Sequence, residues 1–207
     1  YGLEIEAVDF SRLDVKLPKG CSWAPKEVTL INSNGVAVDS TKKSRNFLGG
    51  EINTRPTGSA HKQVKIAKKC FKRLKAEGAT VNYRCNLQSH IGVDWPNDEV
   101  KTLEMLKRVQ KYSFDNYDDL LMLTMGEGQY KKLPEMSPGF WHHYKERMVP
   151  EWKNKFLLES ESLQGFRNAM FFSKKGTHAP MTFMRQGVNT HSFFKTKTIE
   201  FRVFWAS

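Results

Sequence analysis

The segment GLEIEAV at residues 2–8 decides the fold class, because apolar and polar side chains alternate along it. Alternation with a period of two residues predicts a β-strand with one buried face. The positions predicted to face the core are Leu3, Ile5 and Ala7. Glu4 and Glu6 therefore share the opposite face of this strand.

Three further segments place polar residues on one side of a strand in the same way. They read FLGGEINTRPT at 47–57, LQSHIGV at 87–93 and TIEFRVFW at 198–205. The polar residues are Glu51, Asn53 and Arg55 in the first, Gln88 and His90 in the second, and Glu200 and Arg202 in the third. The four segments together predict one polar, carboxylate-rich surface on a β-sheet.

The order of the remaining elements favours an α+β fold with an antiparallel or mixed sheet packed with helices. A loop is predicted over 11–26, a hairpin turning at Asn34-Gly35 over 27–40, and a return to strand over 81–93. Helices are predicted over 61–76, after Pro96-Asn97-Asp98, and over 115–125, 139–148 and 157–172. The regular strand–helix alternation of a doubly wound fold is absent.

Size and composition predict a folded, soluble chain. The 207 residues suit a single domain, with a helical insertion around 97–175. No run of about 18 apolar residues predicts a membrane span, and no leader pattern is present, so a cytoplasmic setting is the expectation. Because the chain begins at Tyr1 and stops just after an aromatic strand, we expect one or both ends of the protein to lie outside it.

Two further features of the composition bear on partners and redox state. The scattered cysteines, Cys21, Cys70 and Cys85, lack the paired spacing of a zinc site or a disulfide framework, which predicts reduced thiols. The net charge of +11 favours anionic partners. Much of that charge lies on the predicted helix between Lys62 and Lys75, which contains no acidic residue. Such a helix presents either a solvated face or a binding surface, and in the second case a nucleic acid or another polyanion is the expected partner.

Carboxylates gathered on one face of a sheet repel one another, and burying an unpaired carboxylate is costly, so a positive partner is required. Carboxylate oxygens suit Mg²⁺ or Mn²⁺, and magnesium is commonly shared with the phosphates of a nucleotide such as ATP. The predicted metal ligands are Glu4, Glu6, Glu51 and Glu200. The predicted contacts to phosphate or to a substrate carboxylate are Arg55, Arg185 and Arg202.

Four segments, in chain order, carry a family resemblance. They are GLEIE at 2–6, GGEINTRP at 49–56, CNLQSHIGV at 85–93 and RQGVNTHSFFKTKTIEFRVF at 185–204. The chain resembles the amidoligases of the glutamine synthetase and glutamate–cysteine ligase superfamily. This resemblance implies an antiparallel sheet of the glutamine synthetase catalytic-domain type, bound ATP with Mg²⁺, and amide formation between a carboxylate and an amine through an acyl phosphate.

The resemblance also implies roles for individual residues. Glu4 and Glu6 match an E-x-E strand, Glu51 matches the acid before a T-x-P turn, and Glu200 matches a closing E-x-R; all four would bind metal. The other matched positions are Arg202 and Arg185 on phosphate, Asn189 beside them, and His90 as the second histidine of an H-x-H strand. Gln88 replaces the first histidine, so a hydrogen-bonding role is expected there in place of an imidazole.

Three functions are open at this point. The preferred hypothesis is an ATP-dependent carboxylate–amine ligase with Glu51, His90, Arg185 and Arg202 at the reacting groups, acting on small-molecule or polymer-borne substrates. The second is a nonenzymatic nucleic-acid-binding protein that uses the lysine-rich helix. The third is a ligase relative that has become an inactive scaffold, which the replacement at Gln88 would fit.

Overall fold

The described residues form six β-strands and six helices, in agreement with the predicted α+β class. The computed structural model describes residues 1–11, 14–24, 34, 49–81, 85–125, 131, 148–171 and 187–205. The chain divides into two compact units, residues 1–90 with 204–207 and residues 91–203. The prediction that 1–207 forms a single domain stays a prediction.

The first unit contains a sheet built around a central pair of strands. Its strands are β1 (Gly2–Val8), β2 (Cys21–Trp23), β3 (Gly49–Thr54) and β4 (Asn86–Gly92, as far as His90). They lie in the order β2-β3-β1-β4, and the pairs β1–β3, β1–β4 and β2–β3 are antiparallel. Because β1 lies between β3 and β4, its side chains have neighbours on both sides.

Helix α1 (Ala60–Ala76) covers the apolar face of this sheet. Ile5 and Ile52 pack in one core cluster with Ala67 and Leu74 of the helix. The helix begins after Ser59, whose side chain accepts a hydrogen bond from the backbone N–H of Lys62, and a left-handed glycine, Gly78, follows its end. These bounds confirm the helix predicted over 61–76 and its stop.

The buried face of α1 differs from the predicted one. In the sequence, Val64, Ala67, Phe71 and Leu74 recur at helical spacing and predict the buried face of the helix, but the buried residues are Gln63, Ala67, Cys70 and Leu74. Val64 is 48% exposed and Phe71 is 42% exposed. Both patterns have helical spacing, and Gln63 takes a buried position because its side chain donates a hydrogen bond to Thr54 of β3.

The second unit is mainly helical. Its elements are α2 (Glu99–Asp115), α3 (Tyr117–Met125), α4 (Glu151–Leu158), α5 (Leu163–Phe171), β5 (Val188–Asn189), α6 (Ser192–Thr196) and β6 (Thr198–Trp205, as far as Val203). The short strand β5 pairs antiparallel with β6. Helix α2 begins at the predicted place, because Asp98 accepts a hydrogen bond from the N–H of Lys101 at 2.9 Å.

Several predicted boundaries were wrong. A three-residue strand, β2, lies within the predicted loop, and a run this short has no alternation to detect. The predicted strand over 47–57 ends at Thr54, because Pro56 has no N–H to donate to a neighbouring strand. The predicted helix over 157–172 is two helices, and Ser162 starts the second by accepting from the N–H of Gly165. The apolar spacing along α2 also predicts that Val100 lies on its buried face, but Val100 is 67% exposed.

Other predictions fall on residues outside the described ranges. They are the hairpin over 27–40 with its turn at Asn34-Gly35, of which only Asn34 is described, the helix over 139–148, of which only Met148 is described, and Arg185. Among the helices that the structure describes, none has the length and apolar character needed to cross a membrane.

The three cysteines are free thiols, as predicted. Cys21 and Cys70 hydrogen-bond to each other in the first unit. Burial raises the pKa of the Cys70 thiol to about 12, so this thiol stays protonated at neutral pH.

Candidate metal centre

The strand register of the first unit brings the predicted polar residues onto one face. On β3, Asn53 lies opposite Glu4 and Glu51 lies opposite Glu6. Directly paired residues in an antiparallel sheet point to the same side. On the other side of β1, Gln88 of β4 lies opposite Glu4. The shared polar surface predicted for these strands is therefore confirmed within the first unit.

We call this surface the polar face. It consists of Glu4, Glu6, Glu51, Asn53, Gln88 and His90. It lies opposite the side of the sheet that packs against α1, since the core residues Ile5 and Ile52 alternate with its members. The polar face thus gathers three carboxylates, two amides and one imidazole.

The carboxylates of β1 are each contacted by a side chain of β4. Nε2 of His90 lies 3.1 Å from Oε1 of Glu4. His90 is opposite Gly2, so it reaches Glu4 diagonally across the strand pair. Nε2 of Gln88 donates a hydrogen bond to Oε1 of Glu6 at 3.4 Å. Gln88 therefore holds the Glu6 carboxylate, and the cofactor-binding role predicted for Gln88 stays a prediction.

The members of the polar face differ in their exposure to solvent. Glu6 is 6% exposed and Gln88 is 3% exposed, while Glu4, Glu51, Asn53 and His90 are half-buried. A carboxylate as enclosed as that of Glu6 loses most of its hydration and needs a compensating charge or hydrogen bonds. The half-buried members keep part of the polar face accessible to a ligand from solvent.

Two buried amide oxygens on this face have unmet hydrogen-bonding capacity. Oδ1 of Asn53 and Oε1 of Gln88 accept no hydrogen bond from any part of the chain that the structure describes. Both residues are paired with Glu4, one on each neighbouring strand. A buried acceptor without a donor costs about 1–3 kcal/mol, so such atoms usually indicate a missing partner.

A divalent cation fits these requirements. Carboxylate and amide oxygens are the ligands that Mg²⁺ and Mn²⁺ prefer, and a cation would both satisfy the amide oxygens and offset the repulsion between the carboxylates. The sequence placed Asn53 on this face without giving it a role. Its position two residues after Glu51 was the available signal, because alternate residues of a strand share a face.

Arg55 lies outside the strand that carries Glu51. It follows the last residue of β3, its side chain is exposed, and its backbone N–H donates to the carbonyl of Gly20 at 2.7 Å. Its predicted contact with phosphate stays a prediction.

The second unit holds further predicted site residues. Asn189 of β5 lies opposite Glu200 of β6, and its Nδ2 donates to Oε2 of Glu200 at 2.7 Å. Oγ of Ser192 donates to the same oxygen at 2.9 Å, and Nε of Arg202 forms an ion pair with the other oxygen of this carboxylate. The sequence analysis missed Ser192, which begins α6 and precedes the strand that carries Glu200.

These contacts supply the buried Glu200 carboxylate, which is 3% exposed, with positive charge and donors from its own unit. Arg202, predicted to hold phosphate, is engaged with that carboxylate. The metal-binding role of Glu200 and the phosphate-binding roles of Arg202 and Asn189 stay predictions.

His191 makes the stability of the second unit depend on pH. It is buried between Phe171 and Phe194, and its pKa is lowered, first by burial and then by the positive charges of Lys195 and Arg167, while Glu200 opposes the shift. The folded state therefore disfavours the protonated imidazole more than the unfolded state does. Stability from this residue is present above the ordinary histidine pKa of about 6.5 and is lost as the pH falls below it.

We expect His191→Gln to reduce the loss of unfolding free energy between pH 7 and pH 5. Urea denaturation at both pH values measures the effect, with His61→Gln as the control because His61 is exposed on α1. An unchanged pH dependence in His191→Gln would show that other groups dominate acid unfolding.

The geometry of the polar face is the main evidence for the function, because comparison with known proteins found no match. No family model, no curated protein and no solved structure matches this chain. The polar face of the first unit and its unmet amide oxygens are therefore the features on which a functional proposal must rest.

Proposed function

We propose that this chain is an ATP-dependent carboxylate–amine ligase, and that its polar face binds the divalent cations that accompany the nucleotide. The observation that carries the proposal is the register of β1 with β3 and β4. It gathers Glu4, Glu6 and Glu51 beside two buried amide oxygens that lack donors among the described residues. The sequence resemblance to the amidoligases supplies the reaction class.

Each member of the polar face has a role in this proposal. Glu4, Glu6 and Glu51 would bind Mg²⁺ or Mn²⁺ through carboxylate oxygens, and Asn53 and Gln88 would add amide oxygens. Bound magnesium would draw negative charge from the ATP phosphates during phosphoryl transfer to the substrate carboxylate.

The remaining side chains position the reacting groups. His90 is held beside Glu4 and would orient the substrate carboxylate or the transferred phosphoryl group. Gln88 keeps the Glu6 carboxylate in place by donating to it. The resemblance further assigns metal binding to Glu200 and phosphate binding to Arg202, Arg185 and Asn189. The substrates would be a carboxylic acid, free or carried on a polymer, and an amine.

Cation binding tests the proposal without reference to turnover. Titration with Mn²⁺, followed by calorimetry or by electron paramagnetic resonance, should detect binding to the wild-type chain. We expect Glu6→Gln to weaken it by at least about tenfold, since loss of even an outer partner of a metal commonly costs that much. The control is Asp14→Asn, which makes the same change from carboxylate to amide at an exposed turn of the first unit.

The outcomes separate the functional hypotheses. Equal Mn²⁺ affinity in the wild type and in Glu6→Gln would remove the polar face as the cation site. Binding of Mn²⁺ and ATP with no ADP release against any tested pair of an acid and an amine would favour the inactive scaffold, a result that the buried glutamine at position 88 would help to explain.

A further inference from the structure

Helix α1 carries a concentration of positive charge that the polar face does not use. Seven of its residues are basic and none is acidic. They are Lys62, Lys65, Lys68, Lys69, Lys72, Arg73 and Lys75, and all are exposed. We call these seven residues the basic face. The seven positive charges of this one helix compare with a net charge of +11 for the whole chain.

The basic face forms one continuous surface. At about 100° per residue, its seven side chains span an arc of about 160° around the helix. The arc lies opposite the buried residues Gln63, Ala67, Cys70 and Leu74. The cations therefore point away from the sheet, and they are close enough together to act on one extended ligand.

Within the described residues, the lysines of the basic face lack ion pairs of the kind that α2 forms. In α2, Lys111 pairs with Asp115 and Arg108 is near Glu104, in each case four residues away along the helix. On the basic face, Arg73 pairs with Glu77, and its six lysines form no ion pair within the described part of the chain. Like charges at these spacings destabilise a helix slightly, so the pattern differs from that of a merely solvated surface.

The arrangement favours a polyanion over a membrane surface. A helix that lies in a membrane interface must bury its apolar face among lipids. The apolar face of α1 is already covered by the sheet, and it packs there with Ile5 and Ile52. The exposed surface of α1 that remains for an external partner is mainly charged, and closely spaced phosphates of a nucleic acid match a row of lysines.

An exposed aromatic side chain adds a second contact. Phe71 lies at one edge of the basic face with Val64 beside it, and 42% of Phe71 is exposed. Basic residues with an adjacent aromatic ring are typical of surfaces on which a nucleic acid places its backbone on the cations and a base on the ring.

We propose that the basic face of α1 binds the phosphate backbone of nucleic acid. Lysines act as point charges without the fork geometry that reads base edges, so the binding is independent of sequence. The basic face is on the helix side of the sheet and the polar face is on the other, so the proposal stands independently of the proposed ligase activity.

Fluorescence anisotropy with labelled oligonucleotides of about 20 nucleotides, single-stranded and duplex, tests this proposal. The titrations are made in EDTA over a range of KCl concentrations, so that the cation site plays no part. The test variant is Lys65→Gln with Lys69→Gln and Lys72→Gln. The matched control, Lys101→Gln with Arg108→Gln and Lys111→Gln, removes the same charge from exposed positions of α2.

We expect the wild type to bind with a steep salt dependence. The α1 variant should bind at least about tenfold more weakly, and its slope of log K against log salt should be smaller by about 2–3, at about 0.7–0.9 per lost phosphate contact. The control should stay within about twofold of the wild type. Circular dichroism confirms that α1 is intact in the test variant.

Three results would overturn the proposal. One is no binding by the wild type at low salt. Another is an equal loss of affinity in both variants, which would indicate net charge rather than α1. The last is binding to vesicles with anionic lipids in the absence of oligonucleotide binding, which would make a membrane surface the partner.

Discussion

The Glu51→Gln variant is expected to lose Mg²⁺-dependent ADP release by about 100-fold or more while it keeps its fold. Glu51 lies directly opposite Glu6 on the polar face, so the two carboxylates extend from neighbouring strands on the same side of the sheet. Glutamine preserves the size of the side chain but removes its charge, and a neutral amide binds Mg²⁺ much more weakly than a carboxylate does. A coupled assay for ADP against a panel of acids and amines measures the loss.

The control for this prediction is again Asp14→Asn, which leaves the polar face intact. Unfolding by urea, followed by circular dichroism, should show similar stability in the wild type, the control and Glu51→Gln, because Glu51 is half-buried on the side of the sheet away from the core. Undiminished ADP release from Glu51→Gln, with both substrates present, would contradict the ligase assignment.

The second large effect is expected from Gly49→Ala. Gly49 begins β3 opposite Val8, with a φ of +150°, a conformation that residues with a side chain rarely adopt. An added Cβ would lie 2.7 Å from the carbonyl oxygen of Ala7 and 2.9 Å from Cα of Val8. Both are backbone atoms of the central strand, so relief requires β1 and β3 to separate.

We expect Gly49→Ala to lower the free energy of unfolding by about 3 kcal/mol or more, combining backbone strain with overpacking. The matched control is Gly58→Ala in the same unit, where an added Cβ meets no atom within 4 Å. Urea denaturation should place the control close to the wild type. Equal stability of the two variants would show that β1 and β3 can shift apart at little cost.

The same substitution is also expected to affect the candidate metal site. Separation of the two strands near Gly49 would displace Glu51 from Glu6, since both pairs belong to one register. Gly49→Ala should therefore also weaken Mn²⁺ binding, even though no atom of Gly49 is a ligand.

Several elements of the fold were predictable from local patterns in the sequence. The bounds of β1 and β6 agree with the predicted segments, because strict alternation over seven or eight residues is a strong strand signal. The start of α2 was also predictable, because Asp98 is a typical capping residue. In each case the sequence pattern lies within the same few residues as the strand or helix start that it predicts.

Other features depended on contacts that a single segment does not contain. The buried side of α1 includes Gln63 and Cys70 in place of Val64 and Phe71, because Gln63 hydrogen-bonds Thr54 of the neighbouring strand. The short strand β2 exists because it pairs with β3, and its three residues show no periodicity. The network around Glu200 depends on Ser192, which lies eight residues away along the chain.

By itself, the sequence determined that Glu4 and Glu6 share one side of a strand and that Glu51 and Asn53 share one side of another, because side-chain direction follows from the period of a single strand. Only the tertiary structure decided that Glu6 meets Glu51 and that Glu4 lies between Asn53 and Gln88. Register is set by backbone hydrogen bonds between distant segments and by the core beneath them, and a shift of one residue would turn every member of a strand to the other face.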